Sequence, residues 1–220
     1  MGKAKSVVWP RPSGPSPRAD GAISRAAALR NTTKQTSLSP YDNEAVQRIL
    51  SAPQPPAGKI RLSGPCEHDN IVNGDGLRAV VWTQGCPNHC PGCQNPETWG
   101  FDAGVLMDID DVCKKLATFP GQAGLTFCGG EPMVQPKACK QIADYVRKEL
   151  GWNVWSFSGF TYEQIKAAGG DAWEFLKSLD ALIDGPFIRS QLDLGLKYRG
   201  SRNQRLLHLE YGTGKIISVE

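Results

Sequence analysis

The chain has 220 residues, 40% of them hydrophobic and 21% charged, which suits one folded domain with a hydrophobic core. A formal net charge of +3 is too small to predict a nucleic-acid partner, because such binding needs basic residues concentrated on one surface. The seven cysteines are too few and odd in number for a disulfide scaffold, and no apolar run approaches the roughly 18 residues that cross a bilayer. We therefore expect a cytoplasmic protein with no membrane partner, whose thiols serve as metal ligands.

The first 58 residues differ from the rest in composition. They hold eight of the sixteen prolines, and the first forty contain seven Lys or Arg against a single acid, Asp20. Such a stretch cannot bury enough apolar surface to offset its ordering entropy. The sequence predicts a low-complexity, disordered extension or leader over residues 1–58 and a folded domain over residues 59–220. An Arg-rich, Ser-rich leader is also typical of organelle transit peptides, which is the alternative for the location.

Beyond residue 58, strand-like and helix-like segments alternate, as in an α/β sheet with parallel strands. The predicted strands lie at 79–84, 125–128, 153–158 and 181–184, and a terminal hairpin joins 206–211 to 215–219. A helix at 108–119, capped by Asp108, follows the first strand, and a helix over 138–150 that ends near Gly151 follows the second. Two further helices, opened by the capping boxes Thr161/Gln164 and Asp171/Glu174, lie between the third and fourth strands.

Three cysteines follow the strand at 79–84 directly. Cys86, Cys90 and Cys93 form a C-x3-C-x2-C arrangement, and three thiolates on one short loop can converge on one iron–sulfur cluster. A [4Fe–4S] cube held by three cysteines leaves one iron without a protein ligand, which is the open position that a catalytic metal needs. Gly92 offers little steric hindrance beside that iron. The loop also follows the carboxyl end of a strand, where α/β sheets usually bind ligands.

Two other metal sites are compatible with this loop. One is a zinc knuckle in which His89 or His68 supplies a fourth ligand, although zinc fingers normally present two separated cysteine pairs. The other is a ferredoxin-type electron carrier, which needs a fourth cysteine nearby. The next one, Cys113, falls on the apolar face of a predicted helix.

The second predicted strand ends in a Gly-Gly-Glu-Pro turn. Gly129 and Gly130 let a ligand approach the backbone, and Glu131 offers an acceptor for an ammonium group. Like the cysteine loop, this turn lies between a predicted strand and the helix that follows it. An ammonium site beside a metal is not needed by a zinc knuckle or an electron carrier.

Together, the three-cysteine loop and the Gly-Gly-Glu-Pro turn resemble the radical S-adenosylmethionine superfamily. Further segments resemble its branch that activates anaerobic (class III) ribonucleoside-triphosphate reductase. These segments are 70–78, 90–93 with Asn95 and Trp99, 158–161, 182–187 and 199–204. The resemblance spans roughly residues 66 to 208. It implies an abbreviated, partial (β/α) barrel and a [4Fe–4S] cluster on Cys86, Cys90 and Cys93.

The resemblance also implies a cofactor, a partner and an electron donor. The cofactor is S-adenosylmethionine, and the partner is a glycyl-radical enzyme, the large subunit of the anaerobic ribonucleotide reductase. A flavodoxin- or ferredoxin-type protein supplies the electron. The expected cofactor-binding residues are Gly92, Cys93, Gln94, Gly129, Gly130, Glu131 and Asp184. Gln94 departs from the pattern, since relatives commonly carry an aromatic residue there, and Asp184 is equally compatible with a turn.

Two other functions stay open at this point. The chain could activate another glycyl-radical enzyme of the formate-lyase type, or it could be a non-catalytic iron–sulfur electron-transfer module. A reductase with a C-terminal glycyl-radical segment encoded beside this chain would favour activation of the anaerobic ribonucleotide reductase.

Overall fold

The computed structural model describes residues 43–220. Within that range the helices are Asn43–Leu50 (α1), Ile109–Leu116 (α2), Pro136–Leu150 (α3), Tyr162–Ala168 (α4) and Gly170–Leu176 (α5). The strands are Lys59–Leu62 (β1), Glu67–Asn70 (β2), Arg78–Thr83 (β3), Val105–Asp108 (β4), Gly124–Gly129 (β5), Asn153–Phe157 (β6), Ala181–Asp184 (β7), Arg205–Glu210 (β8) and Lys215–Val219 (β9). None of the helices described is both long and apolar enough to span a membrane.

All the described strands join one sheet, in the order β4-β1-β3-β5-β6-β7-β8-β9, with β2 paired to β3. The four central strands, β3, β5, β6 and β7, run parallel, and the flanking strands are antiparallel. The prediction of a mixed α/β fold with parallel strands is confirmed. The flanking strands β1, β2 and β4 were not predicted, because each is only four residues long and β2 is largely exposed.

The two faces of the sheet are covered differently. Leu125 and Phe127 of β5 point to the helices, where Phe127 meets Phe175 of α5 edge to face with ring centroids 5.4 Å apart. Thr126 lies between them and points to the other face, level with Trp155 of β6. That second face carries a smaller apolar cluster around Trp155 and borders the cavity described below.

Local capping signals explain two of the helix boundaries, whereas the predicted cap Asp108 precedes α2 but makes no side-chain hydrogen bond to it. The predicted capping box of α4 is confirmed, since Thr161 and Gln164 exchange side-chain and backbone hydrogen bonds. Gly151 ends α3 in the left-handed region, with φ of 69°. The second predicted box is wrong, because α5 begins at Gly170 and Asp171 therefore lies inside its first turn.

The structure also differs from the predicted extension over residues 43–58. Helix α1 lies there and packs against α4, burying Ala45, Ile49 and Ala52. The helix is short and its apolar residues are few, so composition averaged over 58 residues hides it, and its order comes from docking rather than from local propensity. Residues 1–42, which carry the rest of the predicted extension, lie outside the described residues.

Candidate functional site

A cavity of about 880 Å³ opens where the four parallel strands end. That volume is within the range of sites that hold small molecules. The loops after β3, β5, β6 and β7 all contribute to its wall, because the carboxyl ends of parallel strands meet at one edge of a sheet. Among the lining residues are Cys86, Cys90, Cys93, Gln94, Gly129, Gly130 and Glu131. The structure therefore brings together most of the predicted site residues.

A backbone N–H group of the cysteine loop donates to one of the predicted ligand sulfurs. Asn95 N–H donates to the Cys93 sulfur at 3.4 Å. An N–H donor stabilises the negative charge of a thiolate, the form that ligates iron.

Burial opposes ionisation of these thiols in the free protein. It raises the pKa of Cys86 to about 12 and also raises the pKa of Cys90. A metal centre must therefore displace protons when it binds, and its charge offsets the desolvation.

Within residues 43–220 no group of three or more His, Cys, Asp or Glu side chains is placed to hold a metal ion. His89, which the sequence offers as a fourth ligand of a zinc knuckle, stacks on Trp99 with ring centroids 4.8 Å apart.

The Gly-Gly-Glu turn is joined to the start of the cysteine loop through the backbone. Gly130 N–H donates to the Thr83 carbonyl and Glu131 N–H to the Gly85 carbonyl, each at 2.8 Å. A Cβ on Gly129 would lie 2.7 Å from the Thr83 oxygen, and one on Gly130 would lie 2.5 Å from the Gly85 oxygen. The two glycines border the cavity, but their lack of side chains makes room for the neighbouring chain segment.

The Glu131 carboxylate is engaged by the protein itself. Its Oε1 accepts hydrogen bonds from Met133 N–H and the Ser158 hydroxyl, both at 3.0 Å. Its Oε2 accepts from Gly159 N–H at 2.7 Å and from Asn88 Nδ2 at 3.2 Å. Burial raises the pKa of Glu131 to about 7, although these donors lower it. A carboxylate has about four acceptor positions, so the predicted role of this side chain as acceptor for an ammonium group is not supported.

Three residues that line the cavity, Asn73, Trp82 and Trp99, each carry a buried side-chain N–H donor with no hydrogen-bond partner within residues 43–220. An unpaired buried donor costs about 1–3 kcal/mol. The three nitrogen atoms are themselves covered by protein, so they do not open into the cavity.

Two predicted cofactor-binding residues lie elsewhere. Asp184 is fully buried, does not line the cavity, and accepts hydrogen bonds from Arg205 and from Tyr162 N–H. Its position at the end of β7 suggested the active face, but its side chain points to α4. Gly92 is also absent from the lining. It has φ of 81° and packs against Arg189, whose Cδ would lie 3.0 Å from a Cβ there, so a turn and a close approach require the glycine.

Sequence reasoning missed several residues of the wall. Cys128 was not among the predicted site residues, yet it lines the same cavity as the three predicted ligands. Asn88, Ser158 and Gly159 were not singled out, although 158–161 was one of the motifs noted above. The β6 loop could have been found from its place after a parallel strand. No local signal marks Asn88.

Comparisons with known proteins show the family of the chain. A family model described as "4Fe-4S single cluster domain" matches residues 72–207. The chain is 32% identical over 144 residues to an anaerobic ribonucleoside-triphosphate reductase-activating protein of Haemophilus influenzae, covering 61% of this chain and 90% of the relative. A protein of the same name from Enterobacteria phage T4 is 34% identical over 153 residues, covering 64% of this chain and 88% of the relative. The crystal structure of QueE from Escherichia coli is a more distant match, with a TM-score of 0.40 and 14% identity over 47% of this chain and 54% of that chain.

Proposed function

The chain belongs to the 4Fe-4S single cluster domain family and to that of the anaerobic ribonucleoside-triphosphate reductase-activating proteins, and we propose that it is a radical S-adenosylmethionine activating enzyme. Its partner in this proposal is the anaerobic ribonucleotide reductase, on which it generates a glycyl radical. A flavodoxin- or ferredoxin-type donor and a cytoplasmic location complete the proposal, on the sequence grounds given above.

One observation carries this proposal: the three cysteines and the Gly-Gly-Glu turn share the wall of one cavity. The sulfurs of Cys86, Cys90 and Cys93 would hold the cluster, and the rest of the cavity would hold the cofactor. When bound, the cluster supplies the electron that splits S-adenosylmethionine into methionine and a 5′-deoxyadenosyl radical. An electron carrier would need no second ligand site beside its cluster.

The chain's own contribution is binding, orientation and exclusion of water. The backbone of Gly129 to Glu131 borders the cavity, and we propose that it faces the methionyl amine in place of the engaged Glu131 side chain. Gln94 and Cys93 would flank the cofactor on the side of the cysteine loop. We also propose that the four parallel strands form the abbreviated barrel of the radical S-adenosylmethionine type, because helices cover one face and the cavity lies at the other.

Turnover tests the proposal directly. Anaerobically reconstituted full-length protein should bind about four irons and four sulfides per chain. With a strong one-electron reductant and S-adenosylmethionine it should yield 5′-deoxyadenosine and methionine, measured by chromatography, and air should stop the reaction. Protein reconstituted without iron is the matched control.

A second measurement addresses the partner. With the anaerobic reductase present, an electron paramagnetic resonance doublet from a carbon-centred glycyl radical should appear on the reductase. Signal on a formate-lyase type enzyme instead would favour the other activating function. An intact, reducible cluster that never yields 5′-deoxyadenosine would leave the electron-transfer module as the function.

A further inference from the structure

We infer that residues 188–204, the basic loop between strands β7 and β8, dock an acidic surface of the partner reductase. This loop holds four cations, Arg189, Lys197, Arg199 and Arg202, against a single acid, Asp193. The inference rests on the proposed function, because it concerns the protein that would receive the radical. It names the surface of this chain, and the chemistry of the partner, that bring the two together.

The basic loop borders the cavity that the three cysteines line. Its residues in the cavity wall include Leu194, Leu196, Tyr198 and Arg199. In the proposed function a glycine of the partner must come close to this cavity. The partner therefore has to lie against the rim that the loop forms.

The basic loop is held in one conformation by contacts at its base and near its tip. At the base, Arg202 N–H donates to the Gln191 carbonyl at 2.9 Å. Near the tip, the Tyr198 hydroxyl donates to Asp75 Oδ1 at 2.7 Å, and its ring packs edge to face on Trp155 with centroids 5.6 Å apart. A surface that is already ordered before binding loses less conformational entropy when a partner binds.

The cations of the basic loop are not neutralised by neighbouring acids. Arg189, Lys197 and Arg202 make no ion pair with any residue of 43–220, and Arg199 donates to the main-chain oxygen of Glu220 at 2.6 Å. Residues 43–220 together hold 18 Lys or Arg against 20 Asp or Glu, so the loop is positive within a region of negative net charge. Such a surface attracts and orients an acidic partner.

Exposed apolar side chains beside these cations favour a protein partner over a nucleic acid. Leu194 is 89% exposed, and Ile71 and Val72, which also line the cavity, are 69% and 65% exposed. Protein interfaces combine apolar contacts with charged ones at the rim, whereas nucleic-acid binding is dominated by cations that contact phosphates. The occupant that fits is a protein surface with Asp or Glu beside apolar residues.

The test measures how reconstituted full-length protein activates the anaerobic ribonucleotide reductase as the reductase concentration is varied. The double variant Lys197→Glu/Arg202→Glu reverses two exposed cations whose side chains make no hydrogen bond within residues 43–220. It should raise the KM for the reductase roughly tenfold at about 0.05 M salt and at most about twofold at about 0.5 M, because salt screens exposed charges. Formation of 5′-deoxyadenosine without the reductase should keep its wild-type rate.

Lys215→Glu is the matched control. It makes the same charge reversal on an exposed residue, but Lys215 pairs with Glu210 at one end of β8, and the basic loop joins β8 at its other end, at Arg205. Its KM for the reductase should equal that of wild type. A wild-type KM in the double variant at low salt, or an equal rise in Lys215→Glu, would overturn the inference.

A direct binding measurement separates the other outcomes. Biolayer interferometry should show that wild type binds the reductase at low salt and that the double variant binds it roughly tenfold more weakly. If the double variant instead loses binding to single-stranded DNA or to phosphatidylserine vesicles and keeps wild-type affinity for the reductase, the loop serves a nucleic acid or a membrane and the inference is overturned. A wild-type protein that forms no 5′-deoxyadenosine would contradict the proposed function, and the binding measurement would still decide the inference.

Discussion

Two buried carboxylates, Glu131 after β5 and Asp184 at the end of β7, have hydrogen-bond partners of different charge. Glu131 accepts hydrogen bonds from four neutral donors. Asp184 faces a cation, Arg205, whose guanidinium also binds Glu163 at 2.8 Å. The first carboxylate joins three loops around the cavity, and the second joins β7 to β8 and α4.

The difference distinguishes a carboxylate that borders the cavity from one that only joins elements of the fold. A cation satisfies Asp184 in a charge-assisted, two-pronged contact that is closed to other ligands. Neutral donors leave Glu131 without a compensating charge, which is why burial raises its pKa. The carboxylate without a cation, Glu131, lies beside the cysteine loop. The carboxylate paired with a cation, Asp184, lies between β7, β8 and α4.

Removal of a ligand thiol should give the largest effect. Cys86→Ala, Cys90→Ala and Cys93→Ala should each abolish the cluster, because in the proposed site these three thiolates are its protein ligands. Cys113→Ala and Cys139→Ala are matched controls in the buried core and should keep it, as should Cys128→Ala. Iron and sulfide analysis with the visible spectrum measures this. Retained iron in one of the first group, with full loss in one of the second, would contradict the ligand assignment.

Removing the cation that pairs with Asp184 and Glu163 should destabilise the fold and leave the metal site intact. Arg205→Ala leaves a buried carboxylate without its cation, at a cost of about 3 kcal/mol in the free energy of unfolding. Arg205→Lys, which keeps the charge but loses the two-pronged contact, should cost less. Urea titration of the metal-free chain measures both. A loss of iron binding in folded Arg205→Ala protein would show that the two regions are not independent.

Shortening the chain tests where the folded region begins. A chain starting at Lys59 loses helix α1 and the burial of Ala45, Ile49 and Ala52. We expect it to unfold about 2 kcal/mol more easily, after allowing for the ordering entropy of the helix. A chain starting at Pro40 is the control and should match full-length protein. Equal stability of all three would place the boundary at residue 58, as the composition predicted.

Glu131 and Glu163 should change the free energy of unfolding with pH in opposite directions. Glu131 has its pKa raised from 4.5 to about 7, so the folded chain holds more protons between those values and stability falls as pH rises through that window. Arg205 lowers the pKa of Glu163, so its contribution is present above 4.5 and is lost as pH falls.

The measurement is the unfolding free energy of metal-free wild type, Glu131→Gln and Glu163→Gln at several pH values. The Glu131→Gln variant should lack the decline between about pH 5 and pH 7, and Glu163→Gln should lack part of the loss in acid. A wild-type curve parallel to that of Glu131→Gln would indicate that the four donors keep Glu131 ionised throughout.

Short-range sequence patterns were enough to predict the central strands of this protein and the loops that carry its motifs. The spacing of Cys86, Cys90 and Cys93 puts three thiols on one loop, and strand signals before each motif place the loops at one edge of the sheet. The capping box at Thr161 is likewise local, because Gln164 is only three residues away. These features depend on neighbours along the chain, so they could be predicted without a structure.

Tertiary packing decided what each side chain faces. Glu131 meets Asn88 and Gly159, which are 43 and 28 residues away, and Asp184 meets Arg205 across a strand pair. A carboxylate after a strand looks the same in sequence whether it binds a ligand, a cation or the protein's own N–H groups. Only the packed fold selects among them, because a buried charge must take whichever partners the neighbouring elements bring within hydrogen-bond distance.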